Sequence, residues 1–213
     1  MIDCKYYSID FLNDQKIEVD KYFSIFHLNI HSDEFHIEDL KIVHQLLNIP
    51  FDVICLTESK IRVEHQLKVD ININGYQSQV GMPTEASKGG VLIYVKNGLS
   101  FLPRNDLNMS KPKELESTLI EINDPNGKNK VIGSIYLHPC MDKSLFIDDF
   151  MKPLCDKLLT NNKKYYLAGD FNFELSNMNH NESQIFFKTM ISNFFQPSIT
   201  IPTKINLNLT HNN

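Results

Sequence analysis

The segment Phe51–Leu56 (FDVICL) is a short, nearly continuous apolar run that stops abruptly at Thr57-Glu58-Ser59. A run of this length and composition reads as a strand buried on both faces, so it constrains the chain to a layered fold with material above and below. A second run, Tyr165–Ala168, ends in the same way at Gly169-Asp170-Phe171-Asn172. Each therefore sets a carboxylate just beyond the carboxyl end of a strand, where sheets containing parallel strands bind their ligands. A carboxylate there is partly desolvated and needs a pair, hydrogen bonds or a metal ion. Magnesium takes oxygen ligands, often one or two carboxylates with water and phosphate, and Glu58 and Asp170 are residues of that kind. The same segments also read as turns, because Asp and Asn side chains bond nearby backbone and Thr57-Glu58-Ser59 can open a loop.

The elements around these runs alternate in type. Tyr22–Asn29 reads as a strand, and Glu34–Leu47 places Phe35, Leu40, Val43, Leu46 and Leu47 at helical spacing after Ser32 or Asp33 as cap, with Pro50 closing the helix. Strands are expected at 76–80, at 91–95 after Gly89-Gly90, at Thr118–Ile122, and at Lys130–Tyr136 after the Asp124-Pro125-Asn126-Gly127 turn. Ser144–Leu159 reads as a helix capped by Ser144, with Phe146, Phe150, Leu154 and Leu158 on one face and a kink at Pro153. A further helix is expected at Glu182–Phe194, and a strand beginning at Ser198–Ile201. The hairpin-rich middle argues against a simple doubly wound sheet. The expected fold is α/β, with two packed mixed β-sheets flanked by helices. Residues 1–20 form an irregular lead-in, 21–205 the domain and 206–213 a polar tail.

Composition excludes several classes. With 42% hydrophobic and 22% charged residues over 213 positions, the chain is ordinary for a folded protein. No run approaches the roughly 20 apolar residues of a membrane span, and the N-terminus lacks the apolar centre of a secretory signal. Cys4, Cys55, Cys140 and Cys155 are too dispersed for a disulfide scaffold, and Cys55 falls inside an apolar run as a core residue. The expected location is intracellular, and the nucleus if the chain acts on chromosomal DNA. Three Asn-x-Ser/Thr sequons, at Asn108, Asn181 and Asn208, then carry no weight. The net charge of −5 runs against a nucleic-acid enzyme, which holds its substrate by phosphate contacts. Lys60, Arg62, Lys68, Lys88 and Arg104 are the candidates for a local basic rim.

Two further positions join the carboxylates. Asn29 ends the first strand, where it also suits a capping role. In Gly133–Pro139 (GSIYLHP), Tyr136 and His138 point from a strand end, where a lone Tyr more often packs than reacts. The ordered set Leu28-Asn29-Ile30, Leu56-Thr57-Glu58-Ser59, Gly89-Gly90-Val91, Glu116-Ser117, Ile135-Tyr136 and Gly169-Asp170-Phe171-Asn172 resembles the endonuclease/exonuclease/phosphatase family. It looks most like the apurinic-type endonuclease domain of non-LTR (LINE-type) retrotransposon polyproteins, over about residues 21 to 205.

The resemblance implies a deoxyribonuclease-like four-layer sandwich and Mg²⁺-dependent phosphodiester hydrolysis that nicks DNA, with Mn²⁺ as the alternative ion and no small-molecule cofactor. It assigns Glu58 as principal metal ligand, with Asn29 and Asp170 completing the metal set. Asp170 would orient the attacking water, Asn172 would hold a phosphate oxygen, and Tyr136 would stabilise the developing charge. The chain departs from the family at three points. Relatives continue past the Thr203-Lys204 segment to a Ser-Asp-His ending, which the tail Thr210-His211-Asn212-Asn213 lacks; His211 is not carried over as its histidine. The fold is thus expected to be incomplete at the C-terminus and the activity reduced. Leu137 stands where LINE relatives commonly have a basic residue, and His31 reads as an exposed loop histidine rather than a ligand. The competing readings are an inactive retrotransposon remnant, and a phosphatase or phosphodiesterase acting on small phosphorylated substrates.

Overall fold

The structure is a computed structural model that describes residues 5–14, 22–30, 37–47, 49–60, 71–81, 89–160, 162–175, 179–199 and Thr203. Residues 8–172 form one compact unit, and residues 1–7 with 173–213 form another. The expected caps Ser32 and Asp33, the loop histidine His31, the start of the helix at 34–36, and Arg62, Lys68, Lys88, Lys204 and the tail 206–213 lie outside the described residues.

The larger unit holds two mixed sheets. The first comprises β1 (Ile25–Asn29), β2 (Val53–Thr57), β3 (Tyr76–Val80) and β4 (Val91–Lys96) in the order β1-β2-β4-β3. β1 and β2 run parallel, and β4 runs antiparallel to both β2 and β3. β2 is buried along its whole length, as the apolar run requires. Strand alternation splits its side chains between two clusters. Ile54 and Leu56 join Leu92, Tyr94, Ile71, Ile73 and Leu40 of helix α2 (Ile37–Leu47) on the outer face. Val53 and Cys55 join Ile93 and Val95 on the inner face, against Ile120, Ile122 and Ile132 of the second sheet. Full burial contributes on the order of 1.5–3 kcal/mol for each such aliphatic side chain. Desolvation pushes the Cys55 thiol up to about 12, in keeping with its expected core role.

The second sheet comprises β5 (Phe101–Pro103), β6 (Ser110–Lys111), β7 (Leu115–Ile122), β8 (Lys130–Leu137) and β9 (Lys164–Asp170). Its order is β5-β7-β8-β9, with β6 pairing the start of β7. β7 and β8 form a hairpin whose turn is held by Asp124 Oδ1 accepting the Asn126 N–H (3.1 Å). β8 and β9 are parallel, joined by a helical crossover: α3 (Lys143–Leu145), a π-helical stretch (Phe146–Met151) and α4 (Lys152–Leu159). Two mixed sheets flanked by helices are therefore what the chain forms. Among the described residues no helix is long and apolar enough to cross a membrane.

Several elements differ from expectation. The lead-in is not wholly irregular: α1 (Ile9–Asp14) is helical and tied to α2 by Asn13 Nδ2 donating to the Leu46 carbonyl (2.7 Å). The crossover is capped by Asp142, not Ser144, because the Asp142 carboxylate accepts the Leu145 N–H (2.9 Å). Pro153 does not simply kink an α-helix. It follows a π-helical stretch in which the Lys152 N–H reaches back to the Ile147 carbonyl, five residues away. The extra residue moves the buried face from Phe150, which is half-buried, to Ile147, Met151, Leu154 and Leu158. β9 is half-buried rather than buried, because among the described strands it is an edge. β5 and β6, both very short, were not expected. The smaller unit carries α5 (Asn181–Ser192), two residues shorter at its end than expected, because Phe194 takes a left-handed conformation (φ 62°). Its Phe186 stacks on Phe173 with ring centres 4.2 Å apart. Ser198 and Ile199 begin no strand, and 200–202 lie outside the described residues.

Candidate active site

Strand direction brings the polar residues to one end of the sandwich. The carboxyl ends of the parallel pair β1 and β2 and those of the parallel pair β8 and β9 carry them, while antiparallel β4 and β7 contribute their amino ends. Along the inner faces the composition changes from apolar (Val53, Val95, Ile120, Ile122, Ile132) to polar (Asn29, Thr57, Glu116, Tyr136, Asp170). Pairing register aligns Asn29 with Thr57 in the first sheet, and Glu116, Tyr136 and Asp170 side by side across the second.

The five sequence-derived positions lie together. Asn29 Nδ2 donates to Glu58 Oε1 (2.7 Å) and to Asp170 Oδ2 (2.8 Å), so a single nitrogen holds carboxylates from the two sheets. The Tyr136 hydroxyl bonds Glu58; burial first, then the charges of Glu58, Asp170 and Glu116, raise it well above the usual phenol range. Tyr136 is therefore a neutral donor at any working pH. Asp170 Oδ1 accepts the Asn172 N–H (3.0 Å), and Asn172 Nδ2 donates to the Leu137 carbonyl (2.6 Å). Asn172 thus clamps the end of β8, using one of its two amide hydrogens. Leu137 is itself fully buried, so this position serves packing.

Backbone strain concentrates at the same end. Glu58 (φ 53°), Lys60 (φ 51°) and Asn172 (φ 50°) are left-handed without being glycine, a state that persists only where the surroundings enforce it. Immediately before Asp170, Gly169 has φ 154°, and a Cβ there would fall on the Ile135 carbonyl of the neighbouring parallel strand. Only glycine lets β9 approach β8 closely enough to deliver Asp170.

Two residues without an assigned role also belong to this end. Glu116 is fully buried, accepts the Gly90 N–H on Oε2, and places Oε1 3.8 Å from His138 Nε2. His138 is 4% exposed, its Nε2 has no hydrogen-bond partner, and its ring lies 4.6 Å from that of Tyr136. The sequence held a signal for Glu116: a charge on the inward-facing set of an otherwise apolar strand, Glu116-Thr118-Ile120-Ile122. His27, also inward-facing, bonds Thr57 Oγ1 (3.4 Å). Burial lowers it to about 4, against the opposing pull of Asp170, so it is neutral.

Of the expected basic rim, Lys60 and Arg104 lie among the described residues. Arg104 is committed to Asp106 (2.7 Å) and Glu121 (2.6 Å), which balance its charge. Lys60 stands two residues after Glu58 and is half-buried. The donor set suits a hard divalent cation, since Glu58 and Asp170 offer carboxylate oxygens. Among the described residues no group of three or more His, Cys, Asp or Glu surrounds one point, so the protein's share would be these two carboxylates; the expected Asn29 ligation differs, since its Nδ2 and not its amide oxygen faces them.

No protein-family model matches the chain, and no curated protein matches it. Solved structures do. The architecture is the deoxyribonuclease I-like sandwich seen in endonuclease/exonuclease/phosphatase proteins. The AP endonuclease LMAP from Leishmania major superposes with a TM-score of 0.64 over 91% of this chain and 72% of its own, at 13% identity. A humanized D. rerio TDP2 gives 0.54 over 83% and 68% at 13% identity. The human Nocturnin catalytic domain gives 0.51 over 77% and 68% at 15% identity. At such identities the likeness establishes the fold.

Proposed function

We propose that the chain belongs to the endonuclease/exonuclease/phosphatase family, in its retrotransposon-type branch, and hydrolyses phosphodiester bonds of DNA with Mg²⁺. The observation that carries this reading is the Asn29 amide bridging Glu58 and Asp170 beneath the Tyr136 hydroxyl. Support for DNA comes from relatives in fold: one D. rerio TDP2 structure holds a single-strand DNA product, and a Neisseria 3′ phosphatase holds a product DNA hairpin. The order of motifs along the chain supports the retrotransposon branch. Action on chromosomal DNA would place the protein in the nucleus.

Glu58 and Asp170, bridged by the Asn29 amide nitrogen, would hold the cation, whose chemistry there would be neutralisation of phosphate charge and polarisation of its oxygens. The chain's own groups do the rest. Asp170, fixed through Oδ1 by the Asn172 N–H, presents its other oxygen to orient a water and take its proton. Tyr136 donates to a phosphate oxygen as negative charge grows. The free amide hydrogen of Asn172 is the second such donor.

Supercoiled plasmid with Mg²⁺ tests the reading, beside an abasic oligonucleotide and inositol phosphates. The expected result is nicking, abolished by chelation, restored by Mn²⁺ or Mg²⁺, and reduced at least about a hundredfold by Glu58→Ala and by Asp170→Ala. Equal nicking by all three proteins would assign the activity to a contaminant. Turnover of inositol phosphates without nicking would move the substrate to small phosphorylated molecules, the class that the net charge of −5 favours. A chain that cuts none of them is a remnant without an enzymatic role.

A further inference from the structure

We infer that Glu116 is a positioning residue for Glu58, acting across the sandwich through the Gly89-Gly90 turn. The relay is a run of three hydrogen bonds. Glu116 stands on β7 of the second sheet, wholly buried, and its Oε2 accepts the Gly90 N–H at the amino end of β4 in the first sheet. The turn in its turn accepts from the segment after β2: the Ser59 N–H donates to the Gly90 carbonyl (3.1 Å) and the Lys60 N–H to the Gly89 carbonyl (2.8 Å). Those two residues follow Glu58 directly, and both Glu58 and Lys60 are left-handed.

A left-handed glutamate relaxes toward ordinary backbone unless its neighbours prevent it. Here the neighbours are two main-chain hydrogen bonds, and the turn that accepts them is fixed by one carboxylate. The two glycines follow from the same contact. Both have positive φ (83° and 91°), and a Cβ on Gly89 would lie on the Glu116 carboxylate. Glycine is what allows a main-chain turn to sit against a buried carboxyl group. His138, 3.8 Å from the other oxygen, walls the carboxylate in without bonding it. Glu116 touches neither substrate nor cation in this scheme; it sets where Glu58 can point.

The inference rests on the reading of Glu58 as cation ligand for its consequence, but not for its test. Amide hydrogen exchange of Ser59 and Lys60 reads the relay with neither metal nor substrate present. In Glu116→Ala their protection is expected to fall about tenfold or more, while amides of the β7–β8 ladder around Ile120 and Ile132 keep theirs. Glu116→Gln retains an oxygen that can accept from Gly90, so it is expected to retain protection at both amides. Gly89→Ala displaces the carboxylate without removing it, and is expected to reproduce the alanine loss if the Glu116→Ala protein does not fold. Unchanged protection in Glu116→Ala overturns the inference, and so does an equal loss in Glu116→Gln. In the plasmid assay the alanine variant should need more Mg²⁺ for half-maximal rate and the glutamine variant should not. Exchange that behaves as expected in a chain that nicks nothing leaves the relay standing and removes only the nuclease reading.

Discussion

Gly169 shows how a single backbone position governs the site. One of its α-hydrogens stands where any other residue would drive a Cβ into the Ile135 carbonyl, an obstacle that side-chain rotation does not relieve. Gly169→Ala is expected to destabilise the protein by about 3 kcal/mol, on the order of a 10 °C fall in Tm, measured by thermal unfolding. Asp170, one residue on, should move with it, so nicking should fall further than the lost stability explains. The carboxylates at 58 and 170 were legible in the sequence because each ends an apolar run, and a charge at such a boundary needs a reason. Asn29 was legible only through motif order, since its partners lie 29 and 141 residues away. Glu116 was quoted but given no role: its partner is the main chain of Gly90, and backbone amides carry no sequence signature.

At the scale of elements, the outer face of β7 carries a compact ion network. Glu121 accepts from Arg104 (2.6 Å), Lys163 (2.6 Å) and Asn129 (2.7 Å), linking β7 to the start of β9 and the residue after β5. Burial alone would raise its carboxyl, but the bonds from Lys163, Asn129 and Arg104 outweigh it and hold it below the ordinary glutamate value. A carboxyl depressed in the folded state contributes stability that is present above its unfolded value of about 4.3 and lost as pH falls through the folded one. Glu121→Gln is therefore expected to unfold at lower urea concentration at pH 7, by roughly 1–3 kcal/mol, and to lose less than the unaltered chain between pH 5 and about 3. Among the described residues Asp106 and Asp124 add acid sensitivity in the same direction, lowered by Arg104 and Lys130 respectively. Strand positions read well from the sequence because alternation and turn residues are local. The π-helical stretch did not: one inserted residue changes which side chains face inward while leaving the apolar spacing superficially helical.

For the whole larger unit, the legible part was the class of architecture and the hidden part was its pairing. Two buried runs and a hairpin-rich middle imply layers. That β1 joins β2 in parallel, β8 joins β9 in parallel, and all four end on the same side follows only from non-local contacts. Ile132, wholly buried midway between the sheets, tests that arrangement. Ile132→Ala is expected to cost about 2–5 kcal/mol, and Ile132→Val about 1 kcal/mol, by urea unfolding.

Those substitutions bear on more than stability, because the aliphatic layer between the sheets works as a shim. One jaw of the site, Asn29 with Glu58, is mounted on the first sheet; the other, Tyr136 with Asp170, is mounted on the second. The bite between the jaws is set by how thick a hydrocarbon filling separates the two mounts, many ångströms from any reacting atom. On the proposed reading of the jaws as a cation site, thinning that filling by a methylene should alter which divalent ion they grip best before it alters whether the protein folds.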